Sequence, residues 1–211
     1  MANTIDWGDV YFTTEFGFNC PAEPAVDTEF ISTWRTTSPS EEVFLPYEVA
    51  GTYAGTIDWG DGSGTVVNSY TNRSHTYAVA GDYVVTIAGQ TEGFTFNWGG
   101  HSSKIIEISN WGVDFRFGNS GNYFTNCYNL DITATDIPNL AGLTNFSYMF
   151  SGVKSIDVSV KDWDVSNVTN MEGVFWSSPT INIPLTGWDT SSVTDMNYIF
   201  NNATTFNQDL S

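Results

Sequence analysis

A chain of 211 residues can hold one large domain or two small ones. Its 24 acidic and 6 basic residues give a formal charge of −18, yet only 14% of residues are charged, so it is poor in bases rather than rich in charge. That balance excludes nucleic-acid binding and docking on anionic lipid, and an aromatic content of 16% excludes a disordered chain. No apolar run reaches the length of a membrane span. Cys20 and Cys127 are too few for a disulfide framework; two free thiols are expected, with Cys127 inside a core.

Residues 1–26 form a short arm. Phe12, Phe16 and Phe18 make it aromatic, and Pro21 and Pro24 read as a linker. Such an arm is either a strand added to a partner's sheet or a segment packed on its own domain. It has no basic n-region and no apolar h-region, so no secretory leader is visible.

Residues 27–98 read as all-β. Glu42–Tyr47, Gly55–Trp59, Thr65–Val67 and Tyr83–Ile87 are β-branched or aromatic runs, and Gly60-Asp61-Gly62-Ser63-Gly64 and Ala80-Gly81-Asp82 punctuate them as turns. Short strands at this spacing predict a small sandwich. Asp58 and Asp61 supply too few oxygens for a hard cation and are expected to bond turn amides, with cation binding left open. His75 and His101 have no zinc-ligand spacing. The strings Ile57-Asp58-Trp59-Gly60-Asp61-Gly62 and Ser74–Ile87 resemble the polycystic-kidney-disease (PKD) domain. That resemblance implies an immunoglobulin-like sandwich serving as a spacer or binding module on extracellular proteins.

Residues 99–211 repeat. Leu143-Thr144-Asn145-Phe146, Val168-Thr169-Asn170-Met171 and Val193-Thr194-Asp195-Met196 follow one another at 25-residue spacing. Phe150, Phe175 and Phe200 share a column, preceded at 26 residues by Phe124; Ile156, Ile181 and Phe206 share another, and Trp163 and Trp188 a third. Leu130 and Ile132 align ahead of Ile156 and Val158. Such a period signals a solenoid, and its apolar columns signal packing ladders. Val168, Met171 and Phe175 fall at i, i+3 and i+7, which predicts a short helix capped by Ser166 or Asn167. Ile156-Asp157-Val158 and Ile181-Asn182-Ile183 alternate as short strands.

The ordered motifs Ile108–Gly112, Asn126–Leu130, Ala134–Leu140, Trp163–Met171 and Phe206–Ser211 resemble BspA-type leucine-rich-repeat surface proteins over roughly half the chain. The chain departs from that pattern where Phe175-Trp176 replaces Met-Phe and where Pro179-Thr180-Ile181-Asn182 is irregular. The expected fold is therefore mainly β with short helices: an immunoglobulin-like β-sandwich followed by a leucine-rich-repeat-type α/β solenoid.

No catalytic set, cofactor motif or metal-ligand cluster stands out. Asp131, Asp136, Asp157, Asp162, Asp164, Asp189 and Asp209 lie mostly at turns, where an array spreads them in rows. Tyr148 and Tyr198, two places after core Phe146 and Met196, and Trp176, beside core Phe175, are the candidate ligand contacts. The expected function is non-enzymatic adhesion or display on a phage virion, as a fibre or decoration protein. Other surface proteins would be met through residues 1–26, and a host glycan or protein through the solenoid; self-association is left open. A secreted bacterial cell-surface adhesin and the accessory modules of a carbohydrate-active enzyme are the alternatives. The next Trp of the register would fall beyond Ser211, so Phe206 and Leu210 are expected beside an open edge, closed by further chain or by a partner.

Overall fold

The computed structural model describes residues 28–99, 101–156 and 158–210, without the side chains of 158 and 159. The arm of residues 1–26, with Cys20, lies outside the described residues. The fold is mainly β. In chain order the strands are β1 (Phe30–Thr36), β2 (Glu41–Phe44), β3 (Tyr47–Asp58), β4 (Gly64–Val67), β5 (Ser74–Tyr77), β6 (Gly81–Phe94), β7 (Ile105–Asn110), β8 (Phe115–Arg116), β9 (Asp131–Ile132) and β10 (Ser155–Ile156). One open mixed sheet has the order β10-β9-β7-β1-β6-β3-β4, with β8 beside β6; β2 and β5 form a separate pair.

β1 is the central strand, and apolar periodicity does not reveal it. Its inward positions are Phe30, Ser32, Trp34 and Thr36, so two of the four are polar. Each is satisfied in place. The Trp34 indole N–H donates to Ser32 Oγ at 2.9 Å, and Thr36 Oγ1 accepts from the Gly81 amide at 3.1 Å. β1 runs antiparallel to both β6 and β7, with Trp34 opposite Tyr83 on one side and Ser32 opposite Ile108 on the other.

The sheet runs on across residues 98 and 99, where the strand-rich segment gives way to the repeats. β7 joins β1 antiparallel, and β9 and β10 extend the sheet from β7 by parallel pairing, placing Ile108, Ile132 and Ile156 in one column. Ile132 is thus in register with Ile156 and not with Val158, a correction to the sequence alignment. The core is likewise continuous: Phe30, Trp34, Trp111, Phe124, Phe150 and Phe175 belong to one buried cluster.

The predicted short helices are absent among the described residues. Among the described residues the only helical segment with an assigned span is the five-residue 3-10 turn Val158–Asp162. Around Val168, Met171 and Phe175 the backbone makes consecutive turns instead. The reason is a left-handed residue at every fourth position. Tyr148 and Gly152, Gly173 and Ser177, Tyr198 and Asn202 have φ between 52° and 74° in three successive repeats, which a right-handed helix does not accommodate. Of the strand expected at 156–158, Ile156 lies in β10, Asp157 lies outside the described residues and Val158 begins the 3-10 turn; 181–183 forms no strand, although Ile181 and Ile183 are buried.

Backbone amides in this region divide their bonds by alternation. Tyr148, Phe150 and Gly152 donate to Glu172, Val174 and Trp176 of the next repeat; Gly173, Phe175 and Ser177 donate to Asn197, Ile199 and Asn201. The intervening amides of Met149, Ser151 and Val153, and of Trp176 and Ser178, donate three residues back. The stacked phenyl rings follow this register. Phe124–Phe150, Phe150–Phe175 and Phe175–Phe200 have centroids 6.3, 5.8 and 5.7 Å apart and planes within 15°.

The recurring Asn and Asp residues make the turns. Asn145, Asn170 and Asp195 each accept, through Oδ1, the amide two residues on, at 2.9–3.0 Å. Asp164 and Asp189 do the same for Ser166 and Ser191, so Ser166 closes an Asx turn rather than capping a helix. Asp136 holds the amides of Trp111 and Gly112. Cys127 is buried as a free thiol, and burial pushes its pKa up.

Two predictions follow from this packing. Phe175→Ala removes a fully buried rung and is expected to cost about 3–5 kcal/mol in denaturant unfolding; a loss under about 1 kcal/mol would contradict the ladder. The second concerns His101, whose Nδ1 accepts the Phe44 amide at 2.9 Å. Burial lowers its pKa below 6.5, helped by Lys104 and Arg73 and opposed by Glu42 and Glu41. The unfolded chain therefore takes up the proton first as pH falls. The stability held by neutral His101 is complete above about pH 6.5 and is lost as pH drops through the lowered native value. An NMR titration of the ring should give a pKa below 6.5, and His101→Asn should flatten this part of the stability–pH curve.

Candidate ligand-contact site

The turn repeats throw selected side chains outward, and three aromatic rings from distant positions meet there. Trp98 lies 5.4 Å from Tyr148 and 5.8 Å from Trp176, centroid to centroid, and Tyr148 lies 5.5 Å from Trp176. Their planes are inclined by 54–69°, so they meet edge to face and no two are stacked. Trp98 is 46% exposed, and Tyr148 and Trp176 are half-buried.

The backbone sets this arrangement. Trp98 and Tyr148 both hold left-handed φ, 63° and 53°. Asn122 and Gly173 occupy the Tyr148 column and take that conformation cheaply, whereas an aromatic residue there stores about 1 kcal/mol or more. The Tyr148 ring lies against Gly173, where an added Cβ would come within 2.4 Å of Cε1. Its hydroxyl donates to Glu172 Oε1 at 2.8 Å. Burial first, then this carboxylate, pushes the Tyr148 pKa up to about 12, so the phenol is neutral and keeps its donor at physiological pH.

Of the three sequence candidates, Tyr148 and Trp176 come together. Tyr198 lies one repeat further on, 64% exposed, with no ring contact among the described residues. Two participants escape sequence reasoning. Trp98 precedes the recognisable repeats; its one signal is a lone large aromatic in the polar run Asn97-Trp98-Gly99-Gly100-His101. Glu172 is found only by carrying the Tyr148 register one repeat forward.

The remaining candidates have structural partners. Asp58 Oδ1 accepts the Gly60 amide, and Asp61 Oδ1 accepts the Ser63 amide and hydroxyl, so both brace the hairpin. Asp61 Oδ2 also meets His75 Nε2 at 2.7 Å, and the hydrogen bonds with Ser63 and His75 lower its pKa to about 2. His75 stacks on Trp59. Among the described residues no cluster of three or more His, Cys, Asp or Glu is placed to hold a metal ion, and no helix is long and apolar enough to cross a membrane. The far end of the repeats carries an apolar groove between Trp188, Met196, Phe200 and Leu210, with Phe206 stacked on Phe200 at 4.0 Å.

Residues 119–211 match a family described as "Mycoplasma protein of unknown function, DUF285". This domain is found in BspA-like surface repeat proteins. No curated protein and no solved structure matches the chain. The matched span contains the regular ladder, Tyr148, Glu172 and Trp176, while Trp98 precedes it.

Gly173→Ala is expected to destabilise the protein by about 1–2 kcal/mol, through left-handed strain and displacement of the Tyr148 ring. Equilibrium unfolding checks this, and an unchanged midpoint would show that the ring does not rest on Gly173.

Proposed function

We propose that this chain is a non-enzymatic surface protein that displays a repeat array for attachment. In this reading residues 27–98 are a PKD-like, immunoglobulin-like spacer, and residues 99–211 are a BspA-like solenoid whose described residues turn rather than form α-helices. The spacer reading is supported by the β2–β5 pair beside the main sheet and by Trp34, Val43, Trp59 and Tyr77 in one core. The solenoid reading is supported by the three-fold recurrence of inter-repeat amide bonds and by the stacked Phe column. The observation that carries the function is the outward aromatic cluster Trp98–Tyr148–Trp176, mounted on a regular array whose family occurs in surface repeat proteins. Partly exposed aromatic side chains among Asn, Ser and Asp are the usual anchors of a recognition face.

The first carrier proposed is a phage particle, with residues 1–26 as the docking arm. The second is a bacterial envelope, which the Mycoplasma family favours. Proteomics of purified particles and of uninfected cell envelopes separates the two by where the chain appears. For attachment itself, labelled full-length protein should bind intact bacterial cells, and Trp176→Ala should reduce the bound fraction several-fold at unchanged stability. No binding to cells, together with tight binding to a capsid protein, would make the chain a structural component rather than an adhesin.

A further inference from the structure

We infer that the Trp98–Tyr148–Trp176 cluster takes a cationic side chain, specifically the guanidinium of an arginine on a basic protein partner. This rests on the attachment reading above and names the chemistry of its contact.

Three observations converge on a cation. Glu172 stands at the rim of the cluster, fixed through Oε1 by the Tyr148 hydroxyl at 2.8 Å. Its Oε2 has no hydrogen bond among the described residues. Asp195 adds a further negative charge, the weakest of the influences on the Tyr148 phenol. The cluster therefore couples aromatic faces to carboxylate oxygens, the pair of features that binds a guanidinium or ammonium ion.

None of the protein's six basic residues supplies that cation from within. Arg35 is paired with Asp82 at 2.7 Å, Lys104 with Glu41 at 2.8 Å, Lys154 with Asp131 at 2.5 Å and Lys161 with Asp162 at 2.6 Å. Arg73 already sits over Tyr70 at 4.0 Å and Phe44 at 5.5 Å, so this chain uses a guanidinium on aromatic rings elsewhere. Arg116 lines a separate hollow with Glu92 and Asn139. The more polar cleft of about 470 Å³ beside β9 offers no comparable opening. Its Arg35 and Lys154 are paired as above, and Glu107 accepts from Thr33 and Thr133.

The third observation is the ring geometry. A neutral sugar stacks on a flat platform, but these planes are inclined by 54–69° and share no common face. A compact cation needs no flat platform. Trp is the strongest π partner, and a planar guanidinium can lie on an indole while donating to a carboxylate, which a lysine ammonium does less well. The formal charge of −18 draws such a partner in over a long range, and this attraction weakens with salt.

Isothermal titration of the full-length protein with nona-arginine, nona-lysine and maltoheptaose tests the inference. Nona-arginine should bind at least tenfold more tightly than nona-lysine. Trp98→Phe should weaken nona-arginine a few-fold and Trp176→Ala about tenfold, with nona-lysine unchanged. Glu172→Gln should also weaken nona-arginine, with Tyr148 kept as its hydrogen-bond partner. Circular dichroism and unfolding midpoints verify that each variant is folded. Equal binding of the two peptides, insensitive to the Trp changes, would reduce the effect to net charge and overturn the inference. Maltoheptaose binding that is lost in Trp176→Ala would also overturn it, while leaving attachment standing with a neutral ligand. Loss of cell binding in the wild type would instead overturn the attachment reading itself.

Discussion

The structure of the repeats depends on how the backbone shares its amide donors. In a helix every N–H turns inward along its own segment. Here successive amides alternate: one closes a turn three residues back, and the next reaches across to the neighbouring repeat. Left-handed residues such as Tyr148, Gly173 and Ser177 make the alternation possible by aiming their amides out of the turn. Each repeat therefore lacks enough internal bonds to stand alone and is completed by its neighbour. The Phe124–Phe150–Phe175–Phe200 column supplies the apolar half of the same contact. The join to the sheet works by the same logic, since β9 and β10 continue the parallel pairing outward from β7.

Much of this was legible from the residues. The 25-residue spacing, the Phe column, the buried Cys127 and the turn-making role of Asp164 and Asp189 could be read directly, because each repeats or follows a local rule. The helix expectation failed for a definite reason. Apolar residues at i, i+3 and i+7 mark one face of a helix, but they equally mark a series of three-residue turns whose inward positions recur at similar intervals. The deciding positions are Tyr148 and Ser177, residue types that do not announce positive φ; Gly173 in the Tyr148 column and Gly152 in the Ser177 column were the available hints. β1 escaped because Ser32 and Thr36 replace apolar residues at its buried positions, and their compensation by Trp34 and Gly81 exists only in three dimensions.

The contact site was half legible for a related reason. Trp176 stands out against Ser151 and Asn201 of its column, and Tyr148 recurs in its own as Tyr198, whereas Trp98 has no column to be read against. Glu172 looks like an ordinary surface acid until the register places it under the Tyr148 hydroxyl. The acidic charge also reads differently with the geometry in place. The described acids are mostly held singly, in turns or in pairs such as Asp61–His75 and Glu41–Lys104. They form a field over the array rather than a cluster, and the aromatic rings give that field one local point of contact.

Amide hydrogen exchange resolved by NMR bears most directly on the shared-donor account. Slow exchange is expected at Tyr148, Phe150, Gly152, Gly173, Phe175 and Ser177, which donate between repeats. Faster exchange is expected at Tyr198 and Phe200, which hold the same positions in the last described repeat and have no acceptor among the described residues. Protection at Tyr198 and Phe200 equal to that at Tyr148, Phe150, Gly173 and Phe175, with helical chemical shifts through 168–178, would contradict the account by showing bonds closed within each segment.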